Sequence, residues 1–89
     1  MELKTKTIIT LDGDEYITIA TTNYKGKEYA LSNKIAKGQD EVTNEYYVFT
    51  IENNEIVYVR DNELINTLFP IFQEIIRNEL EKIMKGDNE

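Results

Sequence analysis

The sequence predicts an α+β protein: an approximately five-stranded, mostly antiparallel sheet over residues 4–60, followed by a C-terminal helix or kinked helix pair over 62–85 packed on one face. Three observations carry this. Residues 4–60 are rich in Thr, Ile, Val and Tyr in period-two alternation, residues 61–85 switch to spacings of three and four, and short Gly- and Asn-bearing links separate the apolar runs. With 89 residues and no internal linker or repeat, one domain spanning 1–89 is expected, with 86–89 as a frayed tail.

The first strand is read over Lys4–Leu11 (KTKTIITL), and Asp12-Gly13-Asp14 supplies residues that accept a left-handed turn. Glu15–Thr22 (EYITIATT) answers it, with Ile17 and Ile19 on one face and Tyr16, Thr18 and Ala20 on the other. A third strand runs from Lys27 to about Ser32 after Tyr24-Lys25-Gly26. The polar stretch Ala36–Asn44 reads as the longest loop.

Tyr46–Arg60 (YYVFTIENNEIVYVR) reads as a hairpin turning at Asn53-Asn54, because Asn tolerates positive φ. A two-residue turn puts Tyr47, Phe49, Ile51, Ile56, Tyr58 and Arg60 on one face, and Tyr46, Val48, Thr50, Val57, Val59 and Asp61 on the other. Both faces are largely apolar. One helix covers one face, which leaves Tyr46, Val48, Val57 and Val59 wholly or partly on the other.

Asp61 is placed to cap a helix whose apolar stripe is Leu64, Leu68, Phe72, Ile75, Ile76, Leu80 and Ile83. Pro70 kinks it or starts a second segment, and Gly86 ends it. Unbroken, it spans about 36 Å at 1.5 Å per residue, against roughly 20–23 Å for strands of six or seven residues. Either it folds back at Pro70, or its distal residues Ile75, Ile76, Leu80, Ile83 and Met84 meet another chain, such as a second copy.

The absence of histidine and cysteine removes the usual general base, zinc ligands and disulfides. Asp12-Gly13-Asp14-Glu15 lacks the later ligands of a calcium loop and reads as a hairpin turn. No glycine loop for phosphate and no nucleophile with a base is present, so no enzyme activity, cofactor or metal is expected. The opening MELKTKTIIT has no signal-like apolar run and no segment approaches a membrane span, so a cytoplasmic protein is expected.

The net charge of −7 is uneven: residues 1–37 carry +1, residues 38–63 carry −6 and residues 64–89 carry −2. Direct binding to nucleic acid or an anionic membrane is disfavoured, since both need a cationic footprint. The acidic middle either serves solubility or docks on a basic protein surface. The candidate contacts are Asp40, Glu41, Glu45, Glu52, Glu55, Asp61 and Glu63, with Tyr46 or Tyr47 as apolar anchor. Tyr16 and Tyr24 are placed on an exposed face, where strand propensity and interface use explain them equally.

TIITLDGDEY near the start, GKEYAL over Gly26–Leu31, the acidic loop Gln39–Glu45 before a strand pair and a helix opened by DNEL together resemble a family of small acidic bacterial proteins. That family is the domain of unknown function 1292, or YrzB-like proteins, and the resemblance covers roughly Thr7–Leu80. It implies no activity and no catalytic residues.

The leading expectation is a non-catalytic regulator or inhibitor that docks its acidic segment on a basic, nucleic-acid-binding surface of a bacterial protein. Small inhibitors carried by phages and mobile elements, including the anti-CRISPR class, are similar in size, charge and lack of catalytic side chains, an analogy of class and not of motif. The alternative is an acidic housekeeping protein that self-associates through its sheet face or through Ile75, Ile76, Leu80 and Ile83.

Overall fold

A computed structural model describes residues 3–38 and 41–86. Five strands, β1 (Ile8–Leu11), β2 (Asp14–Tyr24), β3 (Lys27–Ile35), β4 (Val42–Glu52) and β5 (Glu55–Tyr58), precede one helix, α1 (Asn62–Gly86). The strands form an antiparallel meander in sequence order. The tail at Asp87–Glu89 lies outside the described residues.

Three tight turns set the registers. Asp12-Gly13, Lys25-Gly26 and Asn53-Asn54 each place two consecutive residues at positive φ, between 51° and 84°. That backbone twist matches the right-handed twist of the flanking strands. Around Asn53-Asn54 the pairs Glu52 with Glu55, Ile51 with Ile56, Thr50 with Val57 and Phe49 with Tyr58 follow, as a two-residue turn demands.

Strand bounds differ from the sequence reading in physically explicable places. The first strand begins at Ile8, not Lys4, because the chain turns at Thr5-Lys6, with Lys6 at φ 70°. The turn carries Leu3 into the core cluster of Ile9, Tyr16, Ala30 and Phe49. β3 runs on to Ile35 and β4 starts at Val42, so the long loop shrinks.

In β2 the strict alternation expected for Tyr16, Thr18 and Ala20 fails. The β2–β3 register shifts between Thr18, opposite Ser32, and Ala20, opposite Leu31. A bulge at Ile19 inserts one residue and reverses the parity after it. Tyr16 and Thr18 therefore face away from the helix, while Ala20 packs beneath it.

The helix covers the face of Ala20, Tyr29, Leu31 and Val48 with Leu68 and Phe72, and Val59, Leu64, Ile65, Ile75 and Ile76 pack around them. This corrects the assignment of Val48 and Val59 to an uncovered face. The opposite, back face covers itself: small residues at its centre on β3, Ala30 and Ser32, lie beneath large rings from β2, β4 and β5. Tyr16, placed on an exposed face by its sequence, is 2% exposed.

α1 is continuous through Pro70, whose ring sits on the exposed side of the helix. The fold-back alternative is not adopted. Asp61 caps the helix: its Oδ1 accepts from the amides of Glu63 at 3.0 Å and Leu64 at 3.4 Å. After Ile76 the core-facing positions turn polar at Glu79 and Lys82, and the distal half overhangs, with Leu80 56% and Ile83 61% exposed. Among the described residues no helix is long and apolar enough to cross a membrane.

Phe49 is fully buried at the centre of the back face. Phe49→Ala is expected to lower the unfolding free energy by about 3–5 kcal/mol in urea titration, whereas Asn54→Gly, at φ 64° in the turn, should change it by less than about 1 kcal/mol.

Candidate functional site

The acidic residues singled out by sequence fall into separate places. Glu52 and Glu55 close the β4–β5 turn, opposite one another, and Lys27 of β3 reaches Glu52 at 3.4 Å. Asp61 is engaged as the helix cap, and Glu63 lies in the first turn, where its charge complements the helix dipole and its carbonyl accepts from Thr67 Oγ1. Of these carboxylates, Glu52 and Asp61 have structural partners. Asp40 lies outside the described residues.

Glu41, Glu45, Tyr46 and Tyr47 gather at the other end of β4. This part of the strand is irregular: Asn33 pairs with Tyr46 and Ile35 with Val42, so three residues of β4, Thr43–Glu45, oppose only Lys34. The bulge is held by Asn33, a buried amide whose Nδ2 donates to the carbonyls of Thr43 at 2.7 Å and Glu45 at 3.0 Å. Thr43 adds its hydroxyl, donating to the Lys34 carbonyl at 3.0 Å and accepting from the Glu45 amide at 3.1 Å. The Asn33 Nδ2 and the Thr43 hydroxyl each make two hydrogen bonds, which fix a protruding segment that a plain strand would not offer.

The apolar residues on either side of the bulge are exposed. Val42 is 57% and Tyr46 54% exposed, and Glu41 and Glu45 are exposed beside them. β5 pairs with β4 only over Phe49–Glu52, continued by one bond from the Val59 amide to the Val48 carbonyl. The outer edge of Val42–Tyr47 is therefore uncovered by any described strand. Sequence reasoning missed Val42 and Asn33. Asn33 sits in the polar run Ser32-Asn33-Lys34, just past the strand end read at about Ser32, and nothing in that run marks it as buried.

Tyr47 points to the back face and joins three other rings. Tyr16 stands edge-on to Tyr47 at 5.3 Å, to Phe49 at 5.0 Å and to Tyr58 at 6.2 Å, and Phe49 lies 5.0 Å from Tyr58. Edge-to-face geometry matches the positive ring edge to the negative ring face. The Tyr16 and Tyr58 hydroxyls bond at 2.8 Å, and the Tyr47 hydroxyl donates to Glu45 Oε1 at 3.3 Å. Burial, then the bond to Tyr58, raises the Tyr16 phenol well above its ordinary value of 10.0. Removal from solvent, then the Glu45 carboxylate, raises Tyr47.

No group of three carboxylates that could hold a metal occurs among the described residues. The end of β4 presents an exposed strip with two carboxylates, Glu41 and Glu45, and two apolar side chains, Val42 and Tyr46.

Comparison with protein-family models, curated proteins and solved structures finds no match.

Because the folded chain keeps the Tyr16 proton to higher pH than an unfolded chain does, the stability it contributes is complete below pH 10.0 and is lost as pH rises beyond it. Thermal unfolding followed alongside tyrosinate absorbance should show melting temperature falling above pH 10, with Tyr16 among the last phenols to ionise in the folded state. A melting temperature independent of pH in that range contradicts this assignment.

Proposed function

We propose that the protein is a non-catalytic binding module that docks the bulged, acidic start of β4 on a basic surface of another protein, acting as a regulator or inhibitor. The observation that supports this most is the Asn33 clamp, which spends a buried amide to hold Val42, Glu45 and Tyr46 outward. Buried polar networks of this kind rigidify a particular geometry, and a rigid aromatic with flanking charge is the composition of a contact anchor. Glu41, Glu45 and Tyr46 form the contact, with Asp40 adjoining in sequence; Tyr47 supports it from the back face.

The −6 charge of residues 38–63 suits a partner patch rich in Lys and Arg, the same type of patch that binds nucleic acid. Glu52, Glu55, Asp61 and Glu63 contribute to the long-range field that steers such a partner, not to the contact itself. Glu41→Lys combined with Glu45→Lys should weaken binding to a basic partner protein by at least about tenfold and leave the circular dichroism and melting temperature nearly unchanged. Undiminished binding measured by calorimetry overturns this reading.

A second reading, self-association, is favoured by one observation. Ile17 and Ile19 of β2 and Ile75 and Ile83 of α1 line an apolar groove of about 670 Å³ under the overhanging helix, and contiguous exposed apolar surface marks interfaces. If a second copy fills it, light scattering behind size exclusion gives the dimer mass, and Ile83→Asp returns the monomer. A monomer at high micromolar concentration removes this reading and leaves the first.

A further inference from the structure

β5 ends at Tyr58 while β4 continues beside it, and the chain leaves toward the helix through Val59 and Arg60. The space left at the end of β5 is a cleft of about 520 Å³, within the range of small-molecule sites. Its walls bring together groups far apart in sequence: the phenols of Tyr16, Tyr47 and Tyr58, the cations Lys34 and Arg60 with the single carboxylate Asp14, and apolar surface from Val59 and Ile65.

The electrostatics of this cleft run against those of the whole chain. Arg60 lies over the Tyr58 ring, its guanidinium carbon 5.8 Å from the ring centre, and makes no ion pair among the described residues. Lys34 is held only loosely, 3.8 Å from Asp14, with its side chain about three-quarters buried. In a protein of net charge −7, surplus carboxylates are plentiful, yet among the described residues none closes on Arg60.

Hydrogen-bond accounting adds a donor. Tyr16 and Tyr58 share one bond, so one of the two hydroxyl protons is left over. With Tyr16 almost completely buried, donation from Tyr16 to Tyr58 leaves the Tyr58 proton directed at the cleft. A guanidinium, an ammonium and a phenol donor beside apolar walls make a receptor for a negative charge on a flat apolar body.

We propose that this cleft binds a small planar monocarboxylate, its carboxylate on Arg60 and Lys34 and its flat body beside the Tyr58 ring. A monoanion suits the site better than a dianion, because Asp14 also lines the cleft and repels a second charge. The bidentate fork of Arg60 matches the two carboxylate oxygens. The site is independent of the docking strip, from which it shares only Tyr47.

The test is titration of the intact chain with benzoate, followed by amide and side-chain chemical shifts, with inorganic phosphate and benzyl alcohol as parallel probes. Saturable benzoate shifts centred on Tyr47, Tyr58 and Arg60 are expected, weakened about tenfold or more in Arg60→Gln and less in Lys34→Gln. Asp14→Asn should tighten binding. The proposal is overturned by any of three results: no saturable shift up to tens of millimolar benzoate, unchanged affinity in both Gln variants, or phosphate or benzyl alcohol binding as tightly as benzoate. Arg60 is exposed and outside both core clusters, so its replacement leaves the fold intact for the measurement.

Discussion

Tyr16 and Tyr58 meet hydroxyl to hydroxyl at 2.8 Å although β3 and β4 separate their strands. Three strand spacings of about 4.8 Å lie between β2 and β5, so the contact exists only because both rings lean inward across the back face. Their path passes over Ala30 and Ser32 of β3, both fully buried. Larger residues there would lift the rings off the sheet. This arrangement lets one face of the sheet exclude water without a second layer, which frees the single helix for the other face. An 89-residue chain has too little material for two covering layers.

The rest of the molecule follows from that division. The bulge at Ile19 lets β2 serve both cores, giving Tyr16 and Thr18 to the rings and Ala20 to the helix. The turn at Thr5-Lys6 brings Leu3 back to close the ring cluster at its β1 side. On the other face Leu68 and Phe72 seal the centre, and the helix then runs past the sheet. Three places among the described residues remain open to contact: the protruding start of β4, the cleft at the end of β5 and the groove beneath the distal helix.

The hairpin at Asn53-Asn54, its two-residue register and the helix cap at Asp61 were legible in the sequence, because each depends on local chemistry: turn φ, side-chain parity and capping; the overhang of Leu80 and Ile83 was one of two alternatives that Pro70 left open. The choice of covered face was not. Both faces of Tyr46–Arg60 are apolar, and what decides between them is the size of residues on β3, a strand whose parity relative to β4 is set by pairing distant in sequence. The fate of Tyr16 depends on the Ile19 bulge, which no turn residue announces. Of the candidate contact residues, charge alone selected Glu52, Glu55, Asp61 and Glu63. Charge says nothing about whether a carboxylate already has a partner. Glu45 and Tyr46 sit at a bulge held by Asn33, and finding that bulge requires knowing that Asn33 is buried opposite it.

The most direct test of this account is a set of nuclear Overhauser contacts among the aromatic rings of the native chain. The account predicts strong cross-peaks from the Tyr16 ring to the rings of Tyr47, Phe49 and Tyr58, from Phe49 to Ala30, and from Leu3 to the same cluster. A Tyr16 ring in contact only with its neighbours on β1 and β3 would mean that the back face is open, and would contradict the self-covered sheet on which the reading depends.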